Sequence, residues 1–326
     1  MKISISTTDI TTLVTQCTWS GSRLQVARRL EFEFIQDDRD SNIPVILYDN
    51  GYTCYAYDDD GNNVFIGNIY KIEKDRDKST VHIVAYDHLH VLGVSKTTRK
   101  FTNMTPEAIT QQICEELGVM VGDLATTNTK VSFIANAKTG YQIIQSAYYE
   151  ASKTTTKKYH PIMDGSKLNV IEKGTLITDS ETGENYIASA NTNMLESVYS
   201  ESIENLINQI LVVDDKGNQI GKTRDDDSVT KYSMFQDIYK EDPNKDTQTE
   251  IKNLLEKYKP VRSGYITVLG DYRVKSTYSI VVQDTLFKGQ FWVKSDTHTF
   301  SDGKHEMRLE LEFENIMNEE KAETEK

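Results

Sequence analysis

The sequence predicts a mainly β protein, with two small antiparallel β-barrel domains flanking an α+β middle domain. Three observations carry that reading. Short runs alternate apolar and polar residues near both ends of the chain. Asn-Gly and Asp-Gly pairs separate those runs. Two stretches with helical periodicity lie in the middle. The chain has 326 residues, which at about 100–200 residues per domain leaves room for two or three.

The first hundred residues read as strands. Leu30-Glu31-Phe32-Glu33-Phe34-Ile35 alternates, as a half-buried strand does. Val45-Ile46-Leu47-Tyr48 reads as a further strand before the turn Asp49-Asn50-Gly51. Tyr52–Tyr57, Val64–Tyr70 and Val81–Tyr86 follow, with Asp58-Asp59-Asp60-Gly61-Asn62 as a turn. Near residue 100 the texture changes. Thr105-Pro106 is an N-cap followed by proline at the first helical position, where its missing N–H costs nothing. Ile109, Ile113 and Leu117 then recur at four-residue spacing, and Gly118 stops the helix. A second helix is expected over Tyr141–Ser152, and strands at Tyr159–Met163, Leu168–Ile171 and Tyr186–Ala188.

From residue 196 the β texture returns. Leu206–Val213 and Gln219–Thr223 flank Asp214-Asp215-Lys216-Gly217-Asn218 as a hairpin. Thr247–Tyr258 is helical, with Ile251, Leu254, Leu255 and Tyr258 on one face, and Pro260 ends it. Tyr265–Leu269 and Ser279–Val282 precede a closing hairpin whose arms, Phe291–Phe300 and His305–Phe313, meet at Asp302-Gly303. These textures divide the chain into 1–95 (a β-barrel), 96–195 (α+β), 196–317 (barrel-like, with the helix at 247–258) and a disordered acidic tail at 318–326.

Composition narrows the function. The net charge of −13 repels phosphate backbones and anionic membranes, so specific nucleic-acid binding is not expected, and with no run of about 18 apolar residues neither is membrane insertion. The cysteines Cys17, Cys54 and Cys114 are far apart and form no CxxC pair, which fits a reducing compartment. The N-terminus has no apolar signal-peptide core, so synthesis in the cytosol is expected.

Each candidate catalytic or ligand motif fails at an identifiable residue. Gly217-Asn218-Gln219-Ile220-Gly221-Lys222-Thr223 is one residue too short for a phosphate loop, and Asp225-Asp226-Asp227 follows it. An EF-hand register through Gly61 would put Ala56 and Gly67 at ligand positions. The histidines His82, His88, His90, His160, His298 and His305 form no zinc signature. His88 and His90 are expected on one strand face, and His298 and His305 close together across the Asp302-Gly303 turn. No catalytic residue, cofactor site or metal site is therefore expected.

Several segments resemble the XkdQ/YqbQ family of tail hub proteins from PBSX-like defective phages and related contractile particles. They are Cys17-Thr18-Trp19-Ser20-Gly21-Ser22-Arg23 with Ala27-Arg28-Arg29-Leu30-Glu31-Phe32, and Tyr86-Asp87-His88-Leu89 with Phe101-Thr102-Asn103-Met104-Thr105. Further on are Ser202–Asn208 leading to Val213–Asn218, Gly289–Val293, Thr297–Phe300 and the strand from His305 to Leu311. The resemblance implies a non-enzymatic baseplate hub, found in phage tails and R-type bacteriocins. It implies a homotrimer that adapts the six-fold tail tube to the three-fold spike. Its implied partners are copies of itself, the tube protein, the spike protein and other baseplate proteins, in a particle released by lysis. Within this length it leaves no residues for a fused muralytic domain. Ile251, Leu254, Leu255 and Tyr258 are a candidate interface, with packing inside the third domain as the competing role. A tail-associated cell-wall hydrolase and a glycan-binding tail module using the tyrosines are the rival readings.

Overall fold

Alternation becomes geometry most directly in the strand Arg29–Ile35, where Leu30, Phe32 and Phe34 are buried and Arg29, Glu31 and Glu33 are half-exposed. It pairs antiparallel with Val14–Ser22 on one side and Thr80–Asp87 on the other. A computed structural model describes residues 1–317 except 38, 180 and 181; the proposed tail at 318–326 lies outside the described residues. With 48% of residues in strands and 17% in helices, the chain is mainly β, as expected. It forms two compact units, residues 199–264 and the remainder.

In the larger unit a curled antiparallel sheet takes in both ends of the sequence. Its order runs from Val261–Leu269 through Lys304–Glu312, Lys288–Ser301, Val14–Ser22, Arg29–Ile35, Thr80–Asp87, Asn63–Asp75 and Thr53–Tyr57 to Lys2–Ile5. Beyond Val261–Leu269 lies the edge strand Met194–Ser202. These last two strands carry the chain into and out of the smaller unit. Trp19, Phe32, Phe34, Ile69 and Ile83 fill the core of the N-terminal half. Ile266, Val268, Ile280, Val293, Met307 and Leu309 fill that of the C-terminal half.

The two middle helices form where the sequence indicated. Thr105 Oγ1 accepts from Ala108 N at 3.3 Å and starts the helix Pro106–Glu116. The helix Gly140–Thr155 opens on a capping box between Thr139 and Gln142. Ile109, Ile113, Ile143, Ile144 and Ala147 pack with Phe101 and Phe133 of the strand pair Lys96–Met104 and Val131–Thr139. A three-stranded sheet of Tyr159–Asp164, Lys167–Glu172 and Met120–Leu124 completes it.

Two local expectations are corrected. Val45–Tyr48 is not a strand. Its Ile46 is buried and Tyr48 packs edge-on against Phe34, while Val45 and Leu47 are 71% and 73% exposed. The run anchors through alternate side chains without a place in the ladder, because both edges of Arg29–Ile35 are already paired. His88 and His90 do not share a strand face. His88 immediately precedes the short helix Leu89–Val94 and makes no side-chain cap bond, and His90 lies within it, stacked on Tyr86 at 4.7 Å between ring centroids.

The smaller unit joins Gln209–Val213 antiparallel to Gln219–Arg224 and parallel to Gln236–Lys240. Asp214 closes the hairpin turn, its Oδ1 accepting from Asn218 N at 2.8 Å. Asp58 and Asn62 make the same closure at 2.7 Å. The near-miss phosphate loop is thus a hairpin turn and the start of a strand.

Candidate functional site

The feature that ties the larger unit together is the seam where Val14–Ser22 pairs with Lys288–Ser301, from Ser22 opposite Ser295 to Cys17 opposite Phe300. Trp19 on this strand is fully buried, 4.8 Å from the His298 ring. The Arg28 guanidinium lies 4.2 Å over the Trp19 ring and forks onto the Asp296 carboxylate, with Nη1 to Oδ1 at 2.9 Å and Nη2 on Oδ2. Gly21 faces Asp296 in the ladder. A Cβ there would lie 2.3 Å from Arg28 Nη1, so glycine makes room for the guanidinium. Asp296 Oδ1 also accepts from Ser276 N at 2.5 Å. Burial alone would raise the Asp296 carboxyl. The Arg28 charge and the hydrogen bonds from His298 and Arg28 outweigh burial and hold it below the ordinary carboxylate value.

The expected approach of His298 and His305 is present at 2.9 Å, Nδ1 to Nε2. His298 Nε2 donates to Val274 O at 2.9 Å, since a carbonyl can only accept. Burial, then the neighbouring His298, lowers His305 to about 4. Both rings are thus committed to partners within the seam.

A second node gathers three distant segments. Glu312, on the last strand, accepts from Arg23 Nε at 2.7 Å and from Lys173 Nζ at 2.7 Å. Lys173 also donates to Ile316 O at 2.6 Å. Burial lowers the Lys173 ammonium despite Glu312. Nearby, His160 is pushed to about 3 by burial and then by the Lys173 and Arg23 charges, so it is neutral at pH 7. A third node is Asp87, whose carboxylate accepts from Arg28 N and Leu89 N, both at 3.0 Å. Burial raises it to about 7 against those bonds and the Arg28 charge.

Chemically, this network holds strands together. Arg28 is paired with Asp296, and Arg23 and Lys173 with Glu312, all buried or nearly so, while Asp87 is held by backbone N–H groups. A cavity lined by Arg28, His160 and Thr277 measures about 10 Å³, room for roughly one water molecule. Among the described residues no group of three His, Cys, Asp or Glu is placed to hold a metal ion. No described helix is long and apolar enough to cross a membrane.

The sequence-selected residues Ile251, Leu254, Leu255 and Tyr258 lie in the smaller unit. Ile251 is wholly buried with Ile210 and Val212, and Leu254 and Leu255 are half-buried against that cluster. Tyr258 follows the helix end, half-exposed. Because this core is so small, Ile251→Ala should remove about 2–5 kcal/mol from it. Amide hydrogen exchange should then accelerate throughout 199–264 while the seam strands stay protected; uniform acceleration along the chain would contradict separate units.

Sequence reasoning did not single out Arg28, Asp296, Arg23, Lys173 or Glu312 as a set. Yet the quoted family segments contain Trp19, Arg23, Arg28, Asp87 and His298, so the resemblance runs through the network. A model of the YQBQ-like family matches residues 17–312. The phage-like element PBSX protein XkdQ of Bacillus subtilis is 23% identical over 272 residues, covering 79% of this chain and 81% of XkdQ. Among solved structures, the 43 kDa tail protein of prophage MuSo2 from Shewanella oneidensis superposes with a TM-score of 0.67 at 12% identity, covering 95% of this chain and 97% of that one. An Escherichia coli protein is described as a type VI secretion component similar in structure to the phage T4 tail proteins gp27 and gp5. It gives a TM-score of 0.57 at 10% identity, covering 99% of this chain and 78% of that one. The chain therefore belongs to the YQBQ-like family, and its fold is that of phage-tail proteins.

Proposed function

We propose that this chain is the baseplate hub of a contractile tail or R-type bacteriocin, a homotrimer that joins the six-fold tube to the three-fold spike and catalyses no reaction. One observation carries the reading: a β module from each end of the sequence is fused edge to edge through the seam. Three chains then offer six β modules to the tube above and three-fold symmetry to the spike below. In this reading 1–95 and the strands within 196–317 are the two modules, and 96–195 buttresses them. The buried ion pairs fix the angle between the modules, which a ring requires. The likeness to a protein described as resembling gp27 and gp5 supports the assignment. Tube, spike and other baseplate proteins are the partners, and the half-buried Leu254, Leu255 and Tyr258 are assigned to contact with one of them. The chain is made in the cytoplasm and leaves the cell within the particle at lysis.

The mass of the purified protein, alone and mixed with its spike partner, tests this by light scattering. A trimer in either sample is expected. A dimer, or a chain that stays monomeric with tube and spike proteins both present, would contradict it.

A further inference from the structure

Two surface patches of the larger unit complement each other but lie far apart on the same chain. The first is the unpaired run around Val45 and Leu47, 71% and 73% exposed. Beside it stand Lys74 and Arg76, which make no ion pair among the described residues. The hairpin's other charges are largely spent: Asp37 on Arg39, Asp75 on Lys78 and Glu73 on Lys71. The second patch is the edge strand Met194–Ser202 and the loop beside it, where Leu195 and Leu286 are 54% and 53% exposed. The loop is held to the strand by Asp284, which accepts from Ser197 Oγ at 2.6 Å and from Leu286 N. Asp284 and Glu196 supply two carboxylates with no cation partner among the described residues; Glu196 accepts only from the hydroxyls of Tyr265 and Thr267.

We propose that the Val45–Leu47 patch of one copy docks on the Leu195–Leu286 patch of the next, with Lys74 and Arg76 facing Glu196 and Asp284. The inference rests on the self-association proposed above and names the surfaces that carry it. The edge strand Met194–Ser202 stands five strand spacings from Arg29–Ile35 in the sheet order, roughly 24 Å at about 4.8 Å per strand. Within one chain the two patches therefore belong to strands well separated in the sheet order. A contact between unlike patches is head-to-tail, and a head-to-tail contact closes into a ring when its rotation is that of the ring, here the proposed three-fold. Like-with-like pairing of the edge strand would instead set Glu196 and Asp284 against their own copies, which repels. Docking also covers an exposed edge strand and two solvent-facing apolar clusters in one step.

Cysteine cross-linking tests the contact on the full-length protein. The native Cys17, Cys54 and Cys114 are buried, so background is low. Leu47→Cys and Leu195→Cys are made singly and together, with Val45→Cys/Leu286→Cys as a second pair, at exposed positions that leave the core intact. Light scattering records the native mass, and a short bismaleimide traps contacts before denaturing electrophoresis. The expected result is covalent dimers and trimers from the double variants and none from the singles. Charge reversal at Arg76→Glu should abolish the cross-link, and adding Glu196→Arg should restore it. A dimer from Leu195→Cys alone overturns the proposal in favour of like-with-like pairing. A native trimer that neither double variant cross-links overturns the proposal and leaves the trimer standing. A monomer at every concentration, without cross-links and with spike protein present, overturns both.

Discussion

Asp296→Ala is expected to destabilise the larger unit by about 3–5 kcal/mol, the cost of breaking a buried ion pair by removing one partner. The substitution leaves the Arg28 guanidinium, 8% exposed, without its anion. It also strands Ser276 N, which has Asp296 Oδ1 as acceptor. Asp296→Asn should behave similarly, since it keeps the volume and loses the charge. The pH dependence has a definite sign. Despite its burial, Asp296 is held below the ordinary aspartate value in the folded chain by the Arg28 charge and its hydrogen bonds. Its contribution is therefore present above that value and is lost as pH falls through the lower folded value. The gap between wild type and variant should be full at pH 7 and shrink below about pH 4. Urea denaturation across that range measures it. A gap that is constant with pH, or below about 1 kcal/mol at pH 7, would reduce the pair to the worth of a surface ion pair.

Glu312→Ala should have a comparable effect, about 3–5 kcal/mol, for a related reason. Glu312 is the anion shared by Arg23 and Lys173, whose side chains are 11% and 1% exposed. Removing it leaves two cations in a nearly dry site, close to the neutral His160. Lys173 is already lowered by burial with Glu312 in place, so it has little capacity to stay charged alone. The double variant Lys173→Met/Glu312→Leu should recover part of the loss, because apolar groups can replace a buried ion pair at little cost. Equilibrium unfolding of the two variants measures both quantities. A double variant no better than Glu312→Ala would show that Arg23, rather than Lys173, bears the penalty.

What the sequence disclosed was local. Leu30–Ile35 and Met307–Leu311 alternate because each strand buries one face, and that period survives in the residue order. Thr105-Pro106 and Gly118 mark helix ends because caps are chemically specific; Gly118 indeed takes a φ of +70°. The strand Val14–Ser22 was missed, since its apolar positions are Val14, Cys17 and Trp19, without a period of two, among Thr, Ser, Gln and Gly. Val45–Tyr48 misled because four apolar residues before a turn look the same in sequence whether the run joins a ladder or only anchors alternate side chains. The seam was out of reach for a different reason. Pairing of residues 17–22 with 295–300 is fixed by complementary surfaces, and no nearby residue announces it. The same holds for Arg28 with Asp296 and for Arg23, Lys173 and Glu312. The His298–His305 contact was legible because a tight turn brings its two arms together.

Electron cryo-microscopy of the intact tail particle tests the central claim most directly. The account predicts three copies of the chain around the axis between tube and spike, with their two β modules at six pseudo-equivalent positions under the tube. Six copies, one copy, or a location on the outer baseplate away from the axis would contradict it.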